Sequence, residues 1–278
     1  MKFTTIYYIN LAIALFFPML TYAEEKPLWE AGIGVGAMSF PAYRGSDKVH
    51  NFLLPVPYFV YHGDFFKADR HGIRGSLFES EVVDLTLSFS ASPPTNSDDI
   101  DAREGMPDLK TTFEFGPQVD IKLWQNEAST RSLKLRLPAR AALTVERSPE
   151  SVGWVFSPKL NLDITDLPAM PGWNFGVIAG PIYGSERQHE YFYGVAPEYA
   201  TSSRPAYEVD GGYSGSQFLM SLSKRYDRFW VGAFLRYDTL SNAVFEDSPL
   251  ITDDSFLAAG IAISWIISES KTRVNVID

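Results

Sequence analysis

The chain contains no cysteine, which excludes disulfide scaffolds, cysteine nucleophiles and thiolate metal sites. It also lacks any long apolar run beyond residue 23. No later window offers the ~18 uninterrupted apolar residues that a membrane-spanning helix needs, and the mean hydropathy is only −0.08. Positive charge is scarce: 24 Lys and Arg stand against 34 Asp and Glu, a formal net charge of −10. That balance argues against a nucleic-acid partner, which would call for a basic patch. Helical spacing is hard to find anywhere after residue 24. Aromatics, in contrast, are plentiful, with 20 Phe, 14 Tyr and 6 Trp beside 20 Gly and 18 Pro in 278 residues. A hydrophobic fraction of 45% is that of a folded protein, and the length suits one large domain or two small ones.

Residues Met1–Ala23 read as a secretory signal peptide. Lys2 supplies the positive start, Ile6–Leu20 is apolar apart from Asn10, and Thr21-Tyr22-Ala23 places small residues at the −3 and −1 positions. A membrane-anchoring helix is the alternative, and the short apolar stretch ending in Pro18 argues against it. Export without cysteine points to a Gram-negative envelope.

Beyond Glu24 the hydrophobic period is two, in segments of about ten residues, which is the signature of strands. Phe113, Phe115, Val119, Ile121 and Leu123 share one face of a segment whose other face carries Glu114, Gln118, Asp120 and Lys122. Leu133, Leu135, Leu137, Ala139, Ala141 and Leu143 alternate in the same way with Lys134, Arg136 and Arg140. A soluble sandwich also alternates, but fully charged polar faces suit a wet lumen, and the segments exceed the mode of about 5–6 residues in globular sheets. They fit the about 9–11 residues of tilted membrane strands. The expected fold is therefore all-β, a transmembrane antiparallel up-and-down β-barrel, with strands near 28–38, 51–61, 64–70, 72–79, 82–91, 110–124, 132–146, 152–164, 172–184, 214–224, 228–240 and 256–267. This makes about twelve strands, or ten if 64–79 does not form a hairpin. Residues 24–278 then form one barrel domain with a polar tail at 268–278. Short turns on one side and long loops on the other reproduce outer-membrane asymmetry.

The tryptophans follow this map. Trp29, Trp124, Trp173, Trp230 and Trp265 fall at the inner ends and Trp154 at the outer end, with Trp29, Trp154, Trp173 and Trp265 in the lipid-facing phase, as interfacial girdles require. Pro55, Pro57, Pro117, Pro138, Pro158 and Pro181 run against it, because proline removes a ladder donor. They mark bulges or rim positions.

A series of short motifs runs along the chain: Pro41-Ala42-Tyr43-Arg44-Gly45-Ser46, Leu54-Pro55-Val56-Pro57-Tyr58, Asp69-Arg70-His71-Gly72, Arg103-Glu104-Gly105-Met106-Pro107-Asp108-Leu109, Glu114-Phe115-Gly116-Pro117, Tyr193-Gly194-Val195, Pro205-Ala206-Tyr207 and Asp247-Ser248-Pro249-Leu250. In order and spacing they resemble the MipA/OmpV family of outer-membrane proteins, over nearly the whole chain after the signal segment. The resemblance implies an outer-membrane barrel. For the member that names the family it implies a scaffold joining a murein hydrolase, the lytic transglycosylase MltA, to a bifunctional penicillin-binding protein. Other members look like surface antigens or adhesion-related proteins. The family has no agreed catalytic motif. The departure is the C-terminus, where Trp265-Ile266-Ile267 is followed by Ser268–Asp278 instead of ending on an aromatic residue.

Catalytic chemistry has little to stand on. The histidines are His50, His62, His71 and His189. His71 beside Asp69 and Ser76 could be drawn as a triad fragment, but a histidine in a tight polar turn explains it better, and no G-x-S-x-G or H-E-x-x-H occurs. No catalytic, cofactor or metal residue is expected. The acidic runs Asp98, Asp99, Asp101, Glu104, Asp108 and Glu246, Asp247, Asp253, Asp254 match no standard calcium loop. A turn near 128 would put Asp120 opposite Arg136 and Glu114 close to Arg140, with Asp163 facing the same group. This reads as a paired, narrow polar interior, against a selectivity ring in a channel. The leading expectation is a non-enzymatic scaffold among outer-membrane lipids, with a periplasmic murein hydrolase and penicillin-binding protein as partners and the tail Ser268–Asp278 as candidate contact. The alternative is a channel or surface-binding protein acting through residues 185–213, with Tyr191, Phe192, Tyr193, Tyr199 and Tyr207. Oligomeric state stays open.

Overall fold

A computed structural model describes residues 24–63, 65–69 and 72–276. The expected signal segment lies outside the described residues, as do Arg70 and His71. The strands in chain order are β1 (Glu24–Pro27), β2 (Trp29–Pro41), β3 (Val49–His62), β4 (Phe66–Asp69), β5 (Gly72–Glu79), β6 (Val83–Ser92), β7 (Thr112–Gln125), β8 (Arg131–Thr144), β9 (Ser151–Phe156), β10 (Lys159–Ile164), β11 (Asn174–Gly184), β12 (Gly212–Arg225), β13 (Phe229–Thr239), β14 (Ser255–Glu269) and β15 (Arg273–Val276), with one helix, α1 (Glu186–Tyr193), after β11.

Each of β2 to β14 pairs antiparallel with its neighbours, and β14 returns to β2 through pairs such as Ile261↔Ala37, closing the sheet. β8 pairs with both β9 and β10, and so does β11, so these two short strands share one place in the wall. The wall therefore has twelve strands. The β4–β5 hairpin does form, which decides against ten. In lipid every backbone polar group must find a partner within the protein, and the antiparallel ladder provides one along every strand pair except the outer parts of the β3–β4 and β5–β6 edges.

The prolines sit where a donor is dispensable. Pro158 interrupts the wall between β9 and β10, and Pro181 opens a register shift in β11. Pro117 and Pro138 flank a break in the β7–β8 ladder, which resumes at Gln118↔Pro138 after Phe115↔Ala141. At the same level the backbones close in: a Cβ on Gly116 would lie 2.0 Å from the Ala139 carbonyl oxygen, and one on Gly180 2.1 Å from that of Pro158. Pro55 and Pro57 belong to β3, whose edge away from β2 is paired, among the described residues, at Tyr61 and His62.

The alternation places Ile33, Leu53, Phe113, Phe115, Leu257, Ile261 and Trp265 outward and exposed, as a lipid-facing surface demands. Trp154, at the outer end, is 52% exposed. Trp124 departs from the expected phase. A bulge between Lys122 and Trp124 turns both Leu123 and Trp124 outward, adding this indole to the inner girdle.

Short turns at 80–82, 126–130, 165–173 and 226–228 lie at one end, and long loops at 93–111, 185–211 and 240–254 at the other. The long loops mark the outer side. Both ends of the described chain lie on the inner side, where β1 and β15 pair as a separate two-stranded ribbon, Glu24↔Val276 through Pro27↔Arg273. The segment after Trp265 is thus not a free tail. β14 continues to Glu269, and residues 273–276 are held by β1, with Leu28 N donating to Thr272 O and Ser270 N to Trp29 O.

Candidate functional site

The buried hydrophobic core lies in the outer loops. Ala42, Tyr43, Ile100, Leu109, Tyr193, Val209, Leu240, Ala243 and Phe245 form one cluster over the barrel mouth. Tyr193 and Phe245 stack with ring centroids 3.8 Å apart. Polar staples cross between loops. Arg103 donates from Nη1 to Phe192 O at 3.0 Å, and Arg204 donates back from Nη1 to Ala102 O and Glu104 O, both at 3.0 Å. Tyr43 donates to Leu250 O at 2.6 Å, Ser248 to Tyr193 O at 2.7 Å and Thr95 to Ala42 O at 2.9 Å. Burial lowers the Arg103 pKa from the usual guanidinium value. Part of the aromatic set in 185–213, the surface expected under the alternative reading, contributes to this cap. Tyr193 is fully enclosed, and Tyr191 and Phe192 pack against the core.

His189 sits within the cap and is inaccessible. Its Nδ1 donates to Asp210 O at 2.8 Å, so its Nε2 accepts from Ser214 Oγ at 2.6 Å, and the ring meets Phe245 edge-on at 4.8 Å. This satisfies the neutral imidazole completely. Burial, with Arg44 nearby, pushes its pKa below the ordinary histidine value. A proton on His189 therefore binds the unfolded cap better than the folded one, and stability falls as pH drops below about 6.5. Amide exchange over residues 186–194, corrected for intrinsic rates, is expected to accelerate between pH 7 and pH 5 in the wild type and to lose that dependence in His189→Gln. Equal pH dependence in both would refute the assignment.

Beneath the cap the lumen is a cavity of about 1120 Å³ roofed by Tyr43, Phe192, Tyr193 and Phe245. It is not packed solid. The expected charge pairing is present in register, with Asp120 directly opposite Arg136 on β8. In detail it is uneven. Arg140 Nε donates to Glu114 Oε2 at 2.9 Å, whereas Arg136 Nε stays 4.0 Å from Asp120 Oδ1. Asp120 instead accepts twice from Gln118 Nε2, at 2.8 and 3.1 Å. Asp163 also lines the cavity and accepts from Asn161 Nδ2 at 2.5 Å. Above them Asp238, wholly buried, ties wall to cap by accepting from Arg44 Nε at 2.9 Å and from Arg236 Nε and Nη2, both at 2.7 Å.

The other candidates stay apart. His62 donates from Nδ1 to Pro27 O at 2.9 Å, and His50 lies beside Phe52 on β3. Of the drawn triad, His71 and the Asp69 side chain lie outside the described residues, while Ser76 donates to Glu79 Oε1 at 2.8 Å. The acidic loop residues serve turns: Asp108 accepts from Ser97 N at 2.9 Å and Asp98 from Gly105 N at 3.3 Å. Among the described residues no three His, Asp or Glu come together as a metal site. Sequence reading missed Asp238, Arg44 and His189 as a cap-to-wall network. The only signal was a charged residue in the lumen phase at the very end of a strand.

A twelve-stranded wall with a lipid-facing apolar surface, long loops on one side and a charged lumen defines an outer-membrane β-barrel, here roofed by its own loops. The chain belongs to the MipA family: the model described as MltA-interacting protein MipA matches residues 33–267. Outer membrane protein OmpV of Vibrio cholerae is 25% identical over 214 residues, spanning 75% of this chain and 76% of that protein. Outer membrane protein Omp26La of Vibrio anguillarum is 25% identical over 240 residues, 85% of this chain and 86% of that one. The protein is accordingly an outer-membrane protein. Among solved structures, a bacterial polysaccharide outer membrane secretin (8% identity, 86% of this chain and 99% of that one) aligns with a TM-score of 0.38. Outer membrane phospholipase A from Escherichia coli (9% identity, 85% and 92%) aligns with a TM-score of 0.35. Scores this low carry no argument.

Proposed function

We propose that this barrel is a non-enzymatic interaction platform that holds murein-remodelling enzymes, a lytic transglycosylase and a penicillin-binding protein, at the inner face of the outer membrane. The family description, an MltA-interacting protein, supports the class of partner. The observation that carries the reading is the β1–β15 ribbon. The inner turns are short, so the ribbon is the largest ordered feature on the periplasmic side. Short strand edges are natural sites for a partner to add a strand of its own. The aromatic core of the cap also supports a roofed resting state over an open pore.

The test is crosslinking in intact cells followed by identification of partners. Murein enzymes are expected among them, and truncation after Ser270 is expected to abolish their capture without unfolding the wall. Capture that survives the truncation would exclude the ribbon as the contact. A partner set without any murein enzyme would overturn the platform itself.

A further inference from the structure

The wall has a weak place. β3 pairs with β4 only through Tyr61↔Ala68 and His62↔Lys67, and β5 reaches no higher on β6 than Arg74↔Ser88. Above those levels, among the described residues, neither Val49–Val60 of β3 nor Phe89–Ser92 of β6 has a strand partner on that side. Pro55 and Pro57 lie on this stretch of β3 and lack the N–H that a joining strand would need. On β6 the gap covers the outer end, and on β3 it runs from the outer end nearly to the inner one, so it opens toward the outer leaflet.

The cavity reaches into this gap. A cavity inside an intact wall touches alternate residues of each strand, because successive side chains face opposite sides. This one is lined by every residue of β6 from Thr86 to Ser92, so it includes the lipid-facing Leu87, Phe89 and Ala91 as well as the lumen-facing Ser88 and Ser90. It therefore wraps around the free edge of the strand. Across the gap, Leu53 and Leu54 point to opposite faces of β3, yet both are exposed, at 76% and 42%. The rim is apolar on both sides.

Inside the rim the charges are unbalanced in their bonding. Lys159 lies directly opposite Arg136 across β10 and β8, and Lys134 is two residues from Arg136 on the same face. All three line the cavity. Of the neighbouring carboxylates, Asp120, Asp163 and Glu114 accept from Gln118, Asn161 and Arg140, and Asp84, which also lines the cavity, accepts from Ser80 N. The Arg136 side chain is 9% exposed, and its Nε has no hydrogen-bond partner. A buried cation left without hydrogen bonds is costly, and an anion in the cavity would supply the missing acceptors.

We propose that the lumen binds the anionic headgroup of a single-chain amphiphile that enters sideways from the outer leaflet between β3 and β6, with Arg136, Lys159 and Lys134 holding the headgroup and the apolar rim holding the chain. The headgroup chemistry is a carboxylate or phosphate monoanion. This site is independent of the inner ribbon and of any murein partner.

The full-length barrel in phosphatidylcholine liposomes provides the test, with a fluorescent long-chain fatty acid, its uncharged methyl ester and inorganic phosphate as probes. Saturable binding of the fatty acid is expected, with the ester and phosphate each at least about tenfold weaker. Arg136→Met and Lys159→Met should each weaken fatty-acid binding by about tenfold or more, and Arg136→Lys should retain part of it. Because the chain has no cysteine, Ser90→Cys can carry a unique photo-crosslinker on the lumen side of β6. It should capture acyl chains, whereas the same label at Ser221→Cys, on the far wall, should not. An ester that binds as well as the acid, or phosphate that competes as well as the fatty acid, would overturn the headgroup-and-chain assignment. A Ser90 label that captures no acyl chain would overturn the lateral entrance, even if the charge variants failed to fold.

Discussion

Phe245→Ala is expected to release the cap while leaving the wall standing. Phe245 is fully buried, stacks on Tyr193 at 3.8 Å and meets His189 at 4.8 Å. Truncating a buried phenylalanine costs about 3–5 kcal/mol. Almost all of that cost falls on loops otherwise joined by the rest of the cluster and by hydrogen bonds such as Arg103 to Phe192 O, Ser248 to Tyr193 O and Thr252 N to Gly45 O. The ladders from β2 to β14 contain none of these groups, so the barrel should keep its strand content. Amide exchange should rise across residues 97–109 and 186–195 and stay protected in β7 and β13. In planar bilayers, openings absent from the wild type should appear. Unchanged protection in those loops would show that the aromatic stack is not what holds the roof down.

Asp238→Ala should be as damaging, by a different route. Its carboxylate is inaccessible and takes three hydrogen bonds, one from Arg44 in the first outer loop and two from Arg236 two residues back on β13. Arg44 Nη2 is already buried without a partner. Among the described residues Asp238 is the carboxylate that both arginines bond, so its removal strands two guanidinium groups that are 21% and 30% exposed, a loss at the lower end of the about 3–5 kcal/mol of a broken buried pair. Asp238→Asn keeps an acceptor but not the charge and should fall in between. Asp238→Ala combined with Arg44→Met should recover part of the loss, because one stranded charge is removed with its partner. Urea unfolding of the purified protein measures all four. A single Asp238→Ala variant within about 0.5 kcal/mol of wild type would mean that water, and not Asp238, solvates these arginines.

The wall was legible in the chain because a barrel strand must face lipid and lumen in turn. The period of two in residues 111–123 and 133–145 identifies both strands. With a turn near 128 it also sets the register that puts Asp120 opposite Arg136 and Glu114 beside Arg140. The finer features of the wall were not legible. Trp124 is outward only because a bulge at Leu123 shifts the phase by one, and one strand splits at Pro158 only because its neighbours hold both halves. The terminal ribbon joins residues at opposite ends of the chain in four pairs, too few to leave a pattern.

The short motifs that carry the family resemblance gain a cause from the fold. Ala42, Tyr43, Ser46, Arg103, Leu109, Tyr193, Val195, Ser248 and Leu250 come from four separate motifs, and all are buried together in the cap. Loop residues have no periodicity, so nothing in their spacing announces a core, although their order along the chain is distinctive. By itself, then, the sequence determined the compartment, the barrel, its strand number to within one hairpin and the charges of its lumen, because alternation and charge are local properties of each strand. Only the tertiary structure decided that the loops pack together over the mouth, that Arg136 Nε is left without a hydrogen-bond partner, and that, among the described residues, most of β3 has no strand partner on one side. Each of these depends on groups brought together from distant strands and loops, and such meetings leave no local trace.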